Sequence, residues 1–315
     1  MSPEDQENIA SFGATIYFNV MNVIVLGLGY GVLLPSTFIA GLSLGFKSGS
    51  FSRLILISSL AVIFICFTLQ VFSVGMAVTL ISVHLSLVQT LPGVQDGLAE
   101  QALKSNNKVI PIINMAIWLS LITVIMSDSI VVWRAQILFP GSKTVRYSLI
   151  LLMSINIAIN VTDCILDEID LTRVLLGNKS ILFDWLSGVF SIAVNIYATG
   201  LIAWKAWNHR RMLSVVALQK KNGVQKLLLL LIESGAAYGA IQLFILVLQL
   251  INTYTSVSYG VLQFMQVAES ISTVAAGWYP IAVFILISLN SSPVVEINQT
   301  FASEGGQISE EGTSN

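Results

Sequence analysis

Charge is what this chain has least of. Asp, Glu, Lys and Arg make up 10% of its 315 residues, against about 25% in soluble domains, and mean hydropathy is +0.82. Lipid is the solvent such a composition suits. Histidine is nearly missing, with only His84 and His209, which argues against an intramembrane His-rich metal hydrolase. The two cysteines, Cys66 and Cys164, lie within apolar runs, where a free Cys serves as a small buried hydrophobe. No paired cysteines stand in the loops to staple an outer surface. No Lys follows Lys226, so the last helix has no amine for a retinal Schiff base. A Gly-rich phosphate loop and HExxH are both absent, and each is a motif with a known chemical role. Neither an enzyme nor a cofactor-binding or nucleic-acid-binding protein is expected.

What the chain does have is long apolar runs. A membrane-spanning helix needs roughly 20 apolar residues, and seven such runs occupy most of the sequence. Helices are expected at about Thr15–Leu44, Leu54–Val88, Val109–Gln136, Tyr147–Leu166, Ile181–Trp204, Leu227–Leu250 and Tyr259–Leu289. The fold class is all-α, a polytopic seven-helix bundle. Residues 1–14 form a short N-terminus outside the membrane domain of 15–289. The tail, 290–315, is rich in Ser, Gly and Glu without Lys or Arg, a composition of disordered segments. The first helix carries Gly27, Gly29 and Gly31, small residues of the kind that let helices approach closely in lipid.

Orientation follows from one stretch, Lys205–Lys226, which holds six of the fifteen Lys and Arg residues and no acid. Cytoplasmic loops are enriched in these cations. The first, third and fifth connections carry eleven of them and the second and fourth carry four. This split places the N-terminus outside and the C-terminus in the cytosol, most simply in the plasma membrane. The cations Arg210, Arg211, Lys220 and Lys221 are candidate contacts for a cytosolic transducer or for anionic lipids.

Ionisable groups within membrane helices are expensive and mark function by default. On the cytosolic side these are Asp128, Arg134 and Glu233. Arg134 at the base of helix 3 is placed to latch onto Glu233 in helix 6, a pair whose rupture would expose two unpaired charges. Alternatively, Arg134 snorkels to headgroups and Glu233 bonds Ser234 or a nearby backbone group. Toward the outside, Glu269, Asp184, Asp163 and His84 are candidates for lining a pocket for a polar or cationic ligand. Asp163 and Asp184 also suit plain interface positions, and Glu269 is the deeper of the acids.

Seven helices with an outward N-terminus is the plan of G-protein-coupled receptors, but the signatures of the rhodopsin-like class are absent. Helix 3 ends Val131–Pro140 without an Asp/Glu-Arg-Tyr triplet, and helix 7 has Trp278-Tyr279-Pro280 without Asn-Pro-x-x-Tyr. Other blocks carry a different likeness: Ser127-Asp128 with Val132-Trp133-Arg134-Ala135, Lys205-Ala206-Trp207 with His209-Arg210-Arg211, Leu228–Leu231 with Glu233-Ser234-Gly235, and Tyr279-Pro280. On these the chain resembles a family of seven-helix, receptor-like membrane proteins of mushroom-forming (basidiomycete) fungi. The blocks cover helices 3 and 5 to 7, while helices 1, 2 and 4 match in hydropathy alone. The resemblance implies a GPCR-like bundle in a membrane and carries over no ligand. Two functions stay open: a receptor coupled to a transducer such as a heterotrimeric G protein, or a transporter or channel with Asp128, Glu233 and Glu269 along a polar path.

Overall fold

The computed structural model describes residues 3–45, 51–84, 98–139, 141–172, 181–216, 223–255, 260–261 and 264–285. The side chains of Asp184, His209 and Arg210, and all of Lys220 and Lys221, lie outside the described residues. α1 is Pro3–Gly45. α2 starts as Phe51–Gln70, widens into a π-helical stretch, Val71–Val78, and ends in a short α-turn, Thr79–Val83. α3 is Leu98–Leu138, α4 Lys143–Thr172, α5 Ile181–Val216 and α6 Gly223–Tyr254. α7 is Phe264–Ile285. Their apolar spans run from 22 residues in α7 to 31 in α3, enough in every case to cross a bilayer. The seven-helix, all-α membrane fold expected from the apolar runs is present.

α1 begins at Pro3, so residues 3–14, expected as a short segment outside the membrane domain, are helical, and two further boundaries differ markedly from expectation. α3 begins at Leu98, so half of the connection expected before Val109 is helix. α5 continues to Val216, so the basic stretch through Arg211 is the end of a helix rather than a loop. The cause is the same in both places. Leu98–Lys108 is built largely of Leu, Ala, Glu, Gln and Lys, and residues 205–216 contain neither Gly nor Pro. Good helix formers carry the backbone ladder past the end of an apolar window.

Polarity is distributed inside out. Leu28, Phe38, Leu54 and Ile196 are 64–70% exposed, whereas Ser127, Asp128 and Asn156 are fully buried. Lipid solvates the apolar exterior, and polar groups are held where other helices can satisfy them. Two apolar cores fill the bundle. One joins Leu26, Leu33, Leu60, Ile63 and Phe67 of α1 and α2 to Ile130, Ile281 and Phe284. The other joins Leu149 and Met153, Val194, Ala198 and Ile202, and Leu231 and Tyr238 to Val131, Ala135 and Tyr279. α3 and α7 belong to both cores and form the spine between two lobes.

Neighbouring helices alternate in direction. Trp118 of α3 donates to Glu168 of α4 at 3.1 Å, and Asp128, ten residues further along α3, accepts from Asn156, twelve residues earlier in α4. Ser148, early in α4, meets Tyr197 of α5 at 2.9 Å. One end of the bundle therefore collects Asp163, Asp167, Glu168 and Glu269, and the other collects Lys143, Arg146, Lys205 and Arg211. We call these the acidic and basic ends.

Candidate functional site

A connected network of polar side chains crosses four helices of the bundle interior. Asp128 on α3 accepts two hydrogen bonds at Oδ2, from Asn156 Nδ2 of α4 at 2.9 Å and from Ser191 Oγ of α5 at 2.7 Å. Asn160, one turn beyond Asn156, donates to its Oδ1 at 2.9 Å. On the other side Gln242 Nε2 of α6 donates to Ser191 Oγ at 2.8 Å. Asn195 Nδ2 reaches Gln242 Oε1 at 3.2 Å and the Gly235 carbonyl at 3.1 Å. The network ends on the α6 backbone at a glycine. A carboxylate can stay in this interior because donors from two other helices converge on it.

Local sequence explains how the helices deliver these groups. Ser187, Ser191, Asn195 and Thr199 follow one another at four-residue intervals in α5, and Asn156 and Asn160 do so in α4. Residues i and i+4 share a helix face. In α6, Leu231, Gly235, Tyr238 and Gln242 likewise lie on one inward stripe, and the first three are buried. The stripe stays close to α5 because Gly235 has no side chain: a Cβ there would stand 2.6 Å from Thr199 Oγ1.

Above the network, toward the acidic end, lie two adjoining cavities. The inner one, about 150 Å³, is lined by Asn160, Ser187, Ser191, Tyr238, Gln242 and Gln249, with apolar contributions from Val124, Ile245 and Leu246. The outer one, about 270 Å³, is lined by Asp163 and Asp167 of α4, Gln249, Asn252 and Thr253 of α6, and Gln266 and Glu269 of α7. Ile245 and Gln249 line both. The arrangement is a carboxylate-rimmed mouth over a neutral chamber of amides and hydroxyls. Its floor, Ser191, is bonded directly to Asp128.

At the level of the network the ring of Tyr238, which also lines the inner cavity, stacks on Tyr279 at 4.6 Å, and Tyr279 leads toward the basic end. The Arg134 guanidinium lies over the Tyr279 ring, 4.9 Å from its centroid. Arg134 is only 3% exposed, and none of its three side-chain nitrogens has a hydrogen-bond partner. The Tyr279 hydroxyl is also buried without one. A guanidinium with its donors unsatisfied is a high-energy group in a low-dielectric interior, and the ring face offsets only part of that.

The sequence-derived residues separate accordingly. Asp163 and Glu269 come together in the outer cavity. His84 is exposed and is not part of either lining, and the side chain of Asp184 is outside the described residues. The expected latch from Arg134 to Glu233 is not formed. Glu233 is exposed, because it stands two residues from both Leu231 and Gly235, about 200° around the helix from each. Arg134 does not snorkel either, being buried against Tyr279. Asp128 belongs to the network and not to a pair with Arg134. Arg211 is exposed in the last turns of α5, while the side chain of Arg210 and the whole of Lys220 and Lys221 lie outside the described residues. Sequence reasoning missed Asn156, Asn160, Ser191, Asn195, Gln242 and the two tyrosines. The four-residue polar spacing on α4 and α5 was the available signal.

Compared with models of known protein families, with curated proteins and with solved structures, the chain matches none. What it does therefore has to be read from this geometry.

Proposed function

We propose that the chain is a seven-helix receptor-like protein that binds a ligand at the acidic end and signals through the basic end. In this reading the N-terminus and the acidic mouth face outward, the plasma membrane is the site of action, and a G protein is the transducer. The single observation that carries it is the continuity between cavity and network. The cavity floor, Ser191, is hydrogen-bonded to buried Asp128, and the same network ends on the α6 backbone beside the Tyr238–Tyr279 stack that covers Arg134. A ligand that draws Gln242 or Ser191 toward the cavity changes contacts that hold α6 against α5. Differential contacts of this kind are what a ligand needs to shift an equilibrium between two states. The buried, unbonded Arg134 supplies the second state, since any rearrangement that gives it an acceptor lowers its energy.

Transport through a line of acids is the weaker proposal, because Glu233, one of the three acids it requires, is on the outer surface of α6. The test is energy transfer between the protein and a Gα subunit in cells. Parting the ring stack with Tyr279→Ala is expected to raise basal proximity above wild type, and Asp128→Ala to change it as well. No proximity above a control membrane protein in any of the three would overturn the receptor reading. Solute flux in proteoliposomes would then decide for transport.

A further inference from the structure

Hydrogen bonds in the network run toward Asp128 from both sides, and their direction is fixed by the acceptors. Asn160 Nδ2 donates to the backbone carbonyl and to the side-chain Oδ1 of Asn156, each at 2.9 Å. A backbone carbonyl only accepts, so the Asn160 amide cannot be reversed, and Oδ1 is the part of it left to bond anything else. Ser191 gives its one hydrogen to Asp128 Oδ2 and accepts from Gln242 Nε2, which leaves one lone pair on that hydroxyl. Gln242 in turn accepts from Asn195, which also donates to the Gly235 carbonyl. What Asn160 and Ser191 still offer is therefore acceptors, and both line the inner cavity.

The outer cavity continues the same polarity. Asp163 and Asp167 stand one turn apart on α4 and so share a face, Glu269 reaches the same space from α7, and all three line it. An ionised carboxylate is acceptor-only. Among the described residues, no Lys, Arg or His lines either cavity. Like charges gathered around one volume of low dielectric raise one another's energy, and a cation placed among them lowers it. Ligand pockets run from about 300 to 1,000 Å³, so adjoining volumes of about 150 and 270 Å³ suit a small molecule.

On the reading that the acidic end takes a ligand, on which this inference rests, we propose that the ligand is a small organic ammonium rich in hydrogen-bond donors. Its cationic group sits among Asp163, Asp167 and Glu269, and its hydroxyl or N–H groups donate to Asn160 Oδ1 and Ser191 Oγ in the chamber. The mouth repels an anion. A cation with an apolar body satisfies the mouth but leaves the acceptors of the chamber desolvated and unbonded, which is costly.

The test uses the full chain in neutral detergent, with binding measured by calorimetry. Glucamine, sorbitol and gluconate share one polyol body and end in an ammonium, a hydroxyl and a carboxylate, and tetraethylammonium is a cation without a donor. Glucamine is expected to bind about tenfold more tightly than sorbitol, the worth of one charge-assisted hydrogen bond, with gluconate and tetraethylammonium weaker than glucamine. Asp163→Asn with Glu269→Gln should remove the preference for glucamine and leave sorbitol unchanged. Asn160→Leu should weaken glucamine and sorbitol alike, by about fivefold for one neutral hydrogen bond. If the double variant does not melt cooperatively, Glu269→Gln decides alone. Gluconate or tetraethylammonium binding as tightly as glucamine, or no binding of glucamine, overturns the ligand class. Proximity to Gα judges the receptor reading separately. A rise in proximity with gluconate and none with glucamine keeps that reading and overturns the class, whereas selective glucamine binding with no proximity to Gα in any condition keeps the class and overturns the reading.

Discussion

A guanidinium entering a protein interior leaves strong hydration behind, and Arg134 does so with all three of its nitrogens unbonded. The effective penalty for burying such a charge is several kcal/mol, whereas a desolvated cation–π contact returns about 2 kcal/mol. The balance is unfavourable, so Arg134→Met should stabilise the fold by about 1–3 kcal/mol, read as a higher Tm in detergent. On the receptor proposal the same substitution should abolish proximity to the transducer, trading function for stability. Asp128 is better satisfied, with two donors converging on Oδ2, although its Oδ1 is buried without a partner. Asp128→Ala strands both donors and should lower stability by about 2–4 kcal/mol, while Asp128→Asn keeps an acceptor for them and should stay within about 1 kcal/mol of wild type. Melting of the three proteins side by side checks this. Both residues stood out in the sequence as charges within apolar runs. Their partners did not, because Asn156, Ser191 and Gln242 are neutral and identifiable only by the face they share.

Among whole elements, glycine spacing turned out to be an incomplete signal. Gly27, Gly29 and Gly31 all suggest close packing of α1, yet only Gly29 has a neighbour in reach. A Cβ at Gly29 would stand 2.5 Å from Val274 Cγ2 of α7, and at Gly27 or Gly31 it would meet nothing within 4 Å. Gly29→Ala is therefore expected to destabilise by about 1–3 kcal/mol through overpacking. Gly27→Ala should be neutral or slightly stabilising because Ala is the better helix former. Equal melting temperatures for the two variants would contradict this assignment of faces. Gly235→Ala should behave like Gly29→Ala, since Thr199 is packed against it on α5. It should also disturb the proposed signalling, because the network ends on the Gly235 carbonyl. Glu233 shows what the periodicity could have revealed. Its apolar neighbours at Leu231 and Gly235 define the inner face, and counting around the helix turns Glu233 away from Arg134.

The complete bundle was the most legible level, because lipid imposes about 20 apolar residues per span and the chain has little else. Which end faces the cytosol rests on Lys and Arg asymmetry. An epitope tag fused to the N-terminus should be stained in intact cells and one fused to the C-terminus only after permeabilisation; the reverse pattern would invert the orientation. The cavities were not legible, since they come from how five helices lean together and not from any motif. Among the described residues, every side chain lining them, and every member of the Asp128 network, comes from α3 to α7. Among the described residues, α1 and α2 pack against the spine and contribute no side chain to either cavity or to the Asp128 network. On the receptor proposal, natural selection on ligand recognition would bear directly on one lobe, while the other would have only to remain apolar and well packed. Descendants of a common ancestor should accordingly drift fastest across α1 and α2, and a lineage changing its ligand should record the change at the rim and chamber positions of α4 to α7.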